Sequence, residues 1–327
     1  MRRTRTDHRP PSHPKATRPN LGRKPSMDYR GLGSATMADM ESAIGKTDVA
    51  LLDAYLGRLG VTVSGPPSPT LLSELHRAHV ERIAWHNLDI AGGVDTDPDP
   101  VSAAARIAAG RGGHCFELNN AFALLLRELG FNVRTHRAGI HGRYQRESPG
   151  ATGTHLVLSV SGLPAPEAAD GVWLVDVAAG DLLHEPVPLH PGEYDNGGYR
   201  IALTRESTEA GGWRVDHDKR GGSRGVEISP DPHPTADQIR CLRFLTHDAH
   251  SPMRFSTLVQ RRYSVGADIL FGPVLTGPAG SVEITSREQW LAALTDVFHL
   301  RVDLFDPAVL DRLWRRAAQV RPMLRGR

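Results

Sequence analysis

Cysteine is nearly absent from this chain of 327 residues, which contains only Cys115 and Cys241. So few thiols exclude the disulfide framework that holds small secreted domains together, and they favour a reducing compartment. Long apolar runs are missing too, since no stretch approaches 18 consecutive hydrophobic residues. The sequence therefore predicts no membrane-spanning helix and no membrane partner, and we expect a cytoplasmic protein.

Lysine is also scarce, because only 4 of the 39 basic side chains are lysines. The formal net charge is +2, but residues 1–25 carry eight basic side chains and one acidic one, so the rest of the chain is mildly acidic. This basic, proline-rich stretch has no apolar periodicity and no aromatic residues. We expect residues 1–47 to form a disordered extension, and we expect no nucleic-acid partner.

The remaining chain has the pattern of a globular protein, with 39% hydrophobic and 23% charged residues overall. Residues 48–130 show helical periodicity, and the clearest stripe begins at Leu118 and ends before Gly130, which is typical of a helix end. Residues 131–234 contain short extended runs separated by Gly, Pro and Asp, which favour a small barrel or sandwich. Residues 235–327 mix strand-like segments with two helices, so the whole order predicts an α+β fold.

Cys115 is a candidate nucleophile because of its position. It follows the Gly-rich turn Arg111-Gly-Gly-His114 and begins a predicted helix. Unpaired backbone N–H groups and the positive end of the helix dipole favour an anion there. They therefore stabilise a thiolate and lower the thiol pKa below its usual value of about 8.5.

A thiolate nucleophile needs a base, and the base needs a group that holds its tautomer. His155 opens the apolar run 155–160, and Asp176 lies within the apolar run 172–177. An ionisable side chain in an apolar strand is costly to bury unless it is paired. We therefore expect the two strands to be neighbours, with His155 paired to Asp176 beside Cys115.

The nonapeptide Arg111-Gly-Gly-His-Cys-Phe-Glu-Leu-Asn119 resembles the RGGxCxExN signature of the arylamine N-acetyltransferases at every position. The resemblance extends over residues 48–320. His155 and Asp176 fall where that family has its catalytic histidine and aspartate.

This resemblance implies an N-terminal helical bundle, a central β-barrel and a C-terminal α/β lid around a cysteine-protease-like catalytic core. It also implies a ping-pong reaction, in which Cys115 takes an acetyl group from acetyl-CoA and passes it to an arylamine, arylhydrazine or hydroxylamine. His155 would polarise the thiol and later remove the amine proton, while Asp176 would orient the imidazole ring. Arg111 and Glu117 would pair across the turn and fix it.

Two segments depart from the family pattern. Residues 84–88 read Ala-Trp-His-Asn-Leu where the family has Pro-Phe-Glu-Asn-Leu, and residues 178–180 read Ala-Ala-Gly where it has Gly-Phe-Gly. If Ala179 faces the cleft, the missing ring opens space and removes a stacking surface. A wider cleft suits amide synthase relatives, which pass a larger acyl chain from an acyl carrier protein thioester to an amine during antibiotic biosynthesis. This is our alternative function.

No metal site is expected. The segment Asp95-x-Asp97-x-Asp99 begins like a calcium loop, but Pro100 and Arg106 stand where that loop needs Gly and Glu. The histidine pairs of the chain lack partners at zinc-site spacing, and no strand is followed by GxGxxG.

Two further hypotheses follow from the same residues. The first is a non-enzymatic member of the fold that binds a coenzyme or a partner. The second is a papain-like protease or transglutaminase with the same three residue types, although the full RGGxCxExN run does not belong to those families. Cys241 lies in the apolar stretch 239–245 and is expected to be buried and unreactive.

Overall fold

The computed structural model describes residues 48–205 and 207–320. The predicted extension of residues 1–47 lies outside the described residues, and the predicted domain boundaries at residues 130 and 234 stay predictions. Within the described part, the α-helices are, in chain order, α1 (Val49–Leu59), α2 (Pro69–Arg82), α3 (Leu88–Gly92), α4 (Pro100–Ala108), α5 (Cys115–Glu128), α6 (Thr235–His247), α7 (Arg287–Ala292) and α8 (Pro307–Gln319). Each of these helices is too short or too polar to cross a lipid bilayer.

The strands of the described residues form two antiparallel sheets. The barrel-like sheet has eight strands in the order β5-β4-β3-β2-β9-β8-β7-β6, and the smaller lid sheet has five in the order β1-β10-β11-β12-β13. The strands are β1 (Trp85–His86), β2 (Asn132–Gly142), β3 (His155–Ser161), β4 (Trp173–Val175), β5 (Val187–Pro188), β6 (Gly192–Asn196), β7 (Tyr199–Thr204), β8 (Trp213–Asp216), β9 (Ser223–Ile228), β10 (Leu258–Tyr263), β11 (Gly266–Phe271), β12 (Val274–Gly277) and β13 (Gly280–Glu283). Along the chain, helices come first, the barrel-like sheet follows, and strands and helices are mixed at the end. This order confirms the predicted α+β fold.

Helix α5 lies at the centre of the packing. Every residue from Cys115 to Leu126 is buried, and the helix contacts α4 on one side and strands β2 and β3 on another. Its apolar side chains share one cluster with the other N-terminal helices and the inner face of β3, including Phe122 and Leu158. The first residue of α5 is therefore fixed where the helical layer meets the barrel-like sheet.

The two faces of the lid sheet have different neighbours. Val259 and Leu270 lie on one face and pack in an apolar cluster with Trp290 and Leu313 from α7 and α8. Successive strand residues point to opposite faces, so Gln260 and Arg262 lie on the other face. Arg262 donates to the carbonyl of Asn196 at 2.6 Å, which shows that this second face is turned toward the barrel-like sheet.

Helix α2 begins at Pro69, because the hydroxyl of Ser68 accepts a hydrogen bond from Leu71 N at 3.2 Å and proline favours the first helical position. Residues Thr235–His247 form helix α6, which was not among the predicted elements.

Candidate active site

Cys115 is the first residue of α5, as predicted, and only 5% of it is exposed. The turn before it is bound to β1, since His86 N donates to Gly113 O at 2.8 Å and Gly113 N donates to Ala84 O at 3.3 Å. Gly112 is required for this close approach, because a methyl group there would overlap the carbonyl of Ala84. Backbone contacts with residues 84–86 therefore fix the turn that leads into Cys115.

His155 and Asp176 lie on neighbouring strands of the barrel-like sheet. His155 is the first residue of β3, whereas Asp176 follows β4 directly and is not inside the strand as predicted. The register of Leu158 opposite Val175 brings the two side chains together. His155 Nε2 lies 2.8 Å from Asp176 Oδ2, and both side chains are 2% exposed.

The imidazole of His155 lies near enough to Cys115 to lower the pKa of the thiol. Nε2 is held by Asp176, so Nδ1 is the ring nitrogen that remains for a hydrogen bond with the thiol. The imidazole of His114 also lowers the pKa of the thiol, and the thiol donates to Thr154 O at 3.7 Å. The structure thus pairs His155 with Asp176 and places this pair near Cys115.

The charges of this site are strongly coupled. Burial acts to raise the pKa of the Cys115 thiol, but the neighbouring imidazoles of His114 and His155 outweigh it and lower this pKa to about 7. Burial acts to lower the pKa of His155, but the charge and hydrogen bond of Asp176 raise it to about 10. Near neutral pH the arrangement favours a thiolate beside an imidazolium.

Asn119 is a further site residue, which was not predicted from the sequence. Its Nδ2 donates to Leu156 O at 2.6 Å and to Asp176 Oδ1 at 2.9 Å, while its Oδ1 accepts from Val177 N at 3.1 Å. The carboxylate also accepts from Ala178 N at 2.9 Å. The signal was present in the sequence, because Asn119 ends the nonapeptide and lies one helical turn after Cys115, on the same face.

Arg111 does not pair with Glu117 as predicted. Its Nη2 binds both carboxylate oxygens of Asp89, at 2.8 and 2.9 Å, and its guanidinium lies 3.4 Å from the ring centre of Phe305. Nη1 donates to Leu304 O at 3.0 Å. Arg111 therefore joins the nucleophile's turn to α3 and to the segment before α8.

Glu117 points back toward the start of its own helix. Its Oε2 accepts from His114 N at 3.2 Å, and its Oε1 lies 3.1 Å from Arg106 Nε. Because its carboxylate raises the pKa of His114 against the opposing effect of burial, it favours a charged imidazole next to the sulfur. Glu117 thus fixes the helix start while Arg111 turns away from it.

The wall beside Asp176 is built from small residues. Ala178 is buried in the same apolar cluster as Cys115, whereas Ala179 is half-buried and packs against the interior of the barrel-like sheet. Gly180 follows and is also partly exposed. The segment after the carboxylate therefore carries no ring.

The residues set aside as metal ligands have structural roles. Asp99 caps α4, since its Oδ1 accepts from Ser102 N at 2.8 Å, and Asp95 pairs with His247 at 2.6 Å. In the described ranges, no three His, Cys, Asp or Glu side chains are grouped as a metal site would need. Cys241 is only half-buried on α6, where burial raises its thiol pKa to about 11.

Comparison with known families gives one match over most of the chain. A family model described as N-acetyltransferase matches residues 70–306. The arylamine N-acetyltransferase / N-hydroxyarylamine O-acetyltransferase of Salmonella typhimurium is 34% identical over 144 residues, which is 43% of this chain and 48% of that protein. The arylamine N-acetyltransferase of Mycolicibacterium smegmatis is 35% identical over 146 residues, which is 43% of this chain and 51% of that protein.

A relative with another name matches at a similar level. Proansamycin X synthase of Amycolatopsis mediterranei is 32% identical over 163 residues, or 48% of this chain and 59% of that protein. The chain thus spans about half the length of the curated relatives it matches.

Solved structures have the same fold over a longer span. The arylamine N-acetyltransferase of Salmonella typhimurium superposes with a TM-score of 0.71 at 23% identity, covering 83% of this chain and 99% of that one. The Mycobacterium marinum arylamine N-acetyltransferase in complex with CoA also gives 0.71, at 24% identity, over 82% and 99%.

Proposed function

The chain belongs to the N-acetyltransferase family that includes the arylamine N-acetyltransferases, and on this premise we propose that it transfers an acetyl group from acetyl-CoA to the nitrogen of an arylamine, arylhydrazine or hydroxylamine. Cys115, His155 and Asp176 carry the reaction. The observation that supports this most directly is the buried thiolate and imidazolium pair, with Cys115 at a pKa of about 7 and His155 held by Asp176 at 2.8 Å.

In the first half-reaction, the Cys115 thiolate attacks the thioester carbonyl of acetyl-CoA. A new carbon–sulfur bond forms to Sγ, the bond to coenzyme A breaks, and the His155 imidazolium gives its proton to the leaving thiolate. We infer that backbone N–H groups in the first turn of α5 bind the oxyanion, an interaction worth about 3 kcal/mol in comparable sites. This half-reaction leaves an acetyl-cysteine and a neutral His155.

In the second half-reaction, the amine attacks the acetyl carbonyl while neutral His155 removes its proton. The carbon–sulfur bond to Cys115 breaks, and the thiolate and imidazolium are restored together. Asp176 keeps the ring in one orientation throughout, because it binds Nε2 and leaves Nδ1 toward the sulfur.

The reaction is tested by separating its halves. With acetyl-CoA and no amine, we expect a burst of one free coenzyme A thiol per protein, followed by slow hydrolysis. Adding an aromatic amine should give the N-acetyl product and restore turnover. Cys115→Ala should show neither step, and a wild-type protein without a burst would contradict the proposal.

A second candidate is an amide synthase that takes a larger acyl chain from a carrier-protein thioester. The small residues Ala178 and Ala179 beside Asp176 favour it, and a synthase stands among the relatives. Acyl transfer from a phosphopantetheinyl carrier, with little turnover of acetyl-CoA, would distinguish this candidate from the first.

We place the enzyme in the cytoplasm and expect no metal cofactor. Both cysteines are free thiols, as a reducing compartment allows, and the chemistry needs only the sulfur, the imidazole and the carboxylate.

A further inference from the structure

Gln260 occupies the face of the lid sheet that is turned toward the barrel-like sheet. It lies on β10 directly opposite Trp85 on β1, so the two side chains are on the same face. Its strand neighbour Val259 lies on the other face, within the apolar cluster of the lid. The lid's apolar core therefore does not account for the polar side chain at position 260.

The amide of Gln260 is wedged between two backbone segments. Its Oε1 contacts Gly180 so closely that a methyl group there would overlap it, and Gly180 also has a φ of +69°. Its Nε2 lies near Gly222, at 3.5 Å from the place where a methyl group on that residue would be. The loop that contains Gly222 is fixed by a hydrogen bond of 2.7 Å from Gly222 N to Asp181 Oδ2. Glycine at position 180 thus leaves room for this amide.

Gln260 is buried but has no polar partner in the part of the chain that the structure describes. Only 8% of the residue is exposed, and its side chain makes no hydrogen bond within residues 48–205 and 207–320. The amide itself keeps some contact with solvent, because neither of its polar atoms is fully buried among the described residues. It can therefore donate a hydrogen bond to, or accept one from, a ligand that enters here.

Gln260 is connected to the nucleophile from two directions. Trp85, opposite Gln260, forms a backbone bridge with Gly113, two residues before Cys115. Gly180, in contact with its Oε1, lies four residues after Asp176. Gln260 therefore adjoins both the segment that leads to Cys115 and the segment that follows Asp176.

We propose that Gln260 is a specificity-determining residue that hydrogen-bonds a hydroxyl or carbonyl oxygen carried by the acyl chain beyond its thioester carbonyl. This inference rests on the proposed function. In this proposal the acyl chain is anchored at Cys115 Sγ, and its distal oxygen reaches the amide of Gln260. An amide both donates and accepts, so it suits either oxygen.

The test compares two acyl donors of equal length, butyryl-CoA and 3-hydroxybutyryl-CoA, in single-turnover acylation of Cys115 followed by intact mass. The variants are Gln260→Met, which keeps the length of the side chain, and Gln260→Leu. Gln319→Leu, at the exposed end of α8, is the matched control. Thermal melting of each variant shows that it is folded.

We expect wild type and Gln319→Leu to prefer the hydroxylated donor. Both Gln260 variants should lose about ten-fold in the ratio of the two rates, which corresponds to one hydrogen bond.

An unchanged ratio in folded Gln260 variants would overturn the inference. So would a loss confined to the second half-reaction with hydroxylated amines, because the amide would then recognise the acceptor. If wild type forms no adduct even with acetyl-CoA, the proposed function itself fails. That outcome differs from the one in which Cys115 is acylated but the ratio of the two donor rates does not depend on residue 260.

Discussion

Asn119 donates a hydrogen bond of 2.9 Å from Nδ2 to Oδ1 of Asp176. The helix that begins with Cys115 therefore also fixes the carboxylate that orients His155. The nucleophile and the third member of the site are held by one rigid element, although they are far apart in sequence. This makes Asn119 a positioning residue whose loss should affect the whole arrangement.

Asn119→Ala should lower both stability and the acylation rate. Asp176 would lose one of its donors while staying buried, which costs about 1–3 kcal/mol of unfolding free energy. Urea unfolding and single-turnover acylation measure the two effects. Asn132→Ala is the matched control, because it removes an exposed hydrogen bond of 2.9 Å to Ser161 and should change little. Equal effects in the two variants would contradict the role of Asn119.

Alkylation of Cys115 should depend on pH with a midpoint near neutrality. Its pKa is lowered to about 7, so the reactive thiolate forms as the pH rises through that value. The rate with iodoacetamide should therefore rise between about pH 6 and pH 8 and then level off. Cys241 is an internal reference, since burial raises its pKa to about 11 and it should stay largely unreacted over this range.

His155→Gln should move that profile to higher pH. The substitution removes the imidazolium and its hydrogen bond, both of which lower the pKa of Cys115, so the thiolate should form later. Peptide mapping of the alkylated protein at each pH separates Cys115 from Cys241. A midpoint that is the same in wild type and His155→Gln would show that the imidazole does not act on the sulfur.

Asp89→Ala should destabilise the protein strongly. Arg111 is 7% exposed and binds this carboxylate at 2.8 Å, so removing Asp89 leaves a buried charge with less compensation. The expected loss is about 3–5 kcal/mol in guanidinium unfolding. Asp303→Ala breaks the exposed pair with Arg301 and should leave the unfolding midpoint unchanged. If both variants lost only a similar, small amount of unfolding free energy, the claim that the buried pair of Asp89 and Arg111 stabilises the protein would be refuted.

The fold class and the position of the nucleophile could be predicted from the sequence for clear physical reasons. The stripe from Leu118 and the Gly-rich turn predict a helix that begins at Cys115, and the structure begins α5 there. The change from helical to extended periodicity after Gly130 predicts the barrel-like sheet.

Other features depend on tertiary contacts that periodicity does not contain. The partner of Arg111 is Asp89 and not Glu117, because the turn directs the guanidinium toward Phe305 while Glu117 folds back on its own helix. Asp176 lies past the end of β4, because the short strand β4 stops at Val175. The unpartnered amide of Gln260 is visible only once the two sheets face each other.

The central claim is that Cys115 holds the acyl group between donor and acceptor. The most direct measurement is peptide mapping of the protein after brief exposure to acetyl-CoA without an amine. We expect one acetyl group, located on the peptide that contains Cys115, and its loss when an aromatic amine is added. An unmodified Cys115 in folded wild-type protein, or acetylation only at another residue, would contradict the account.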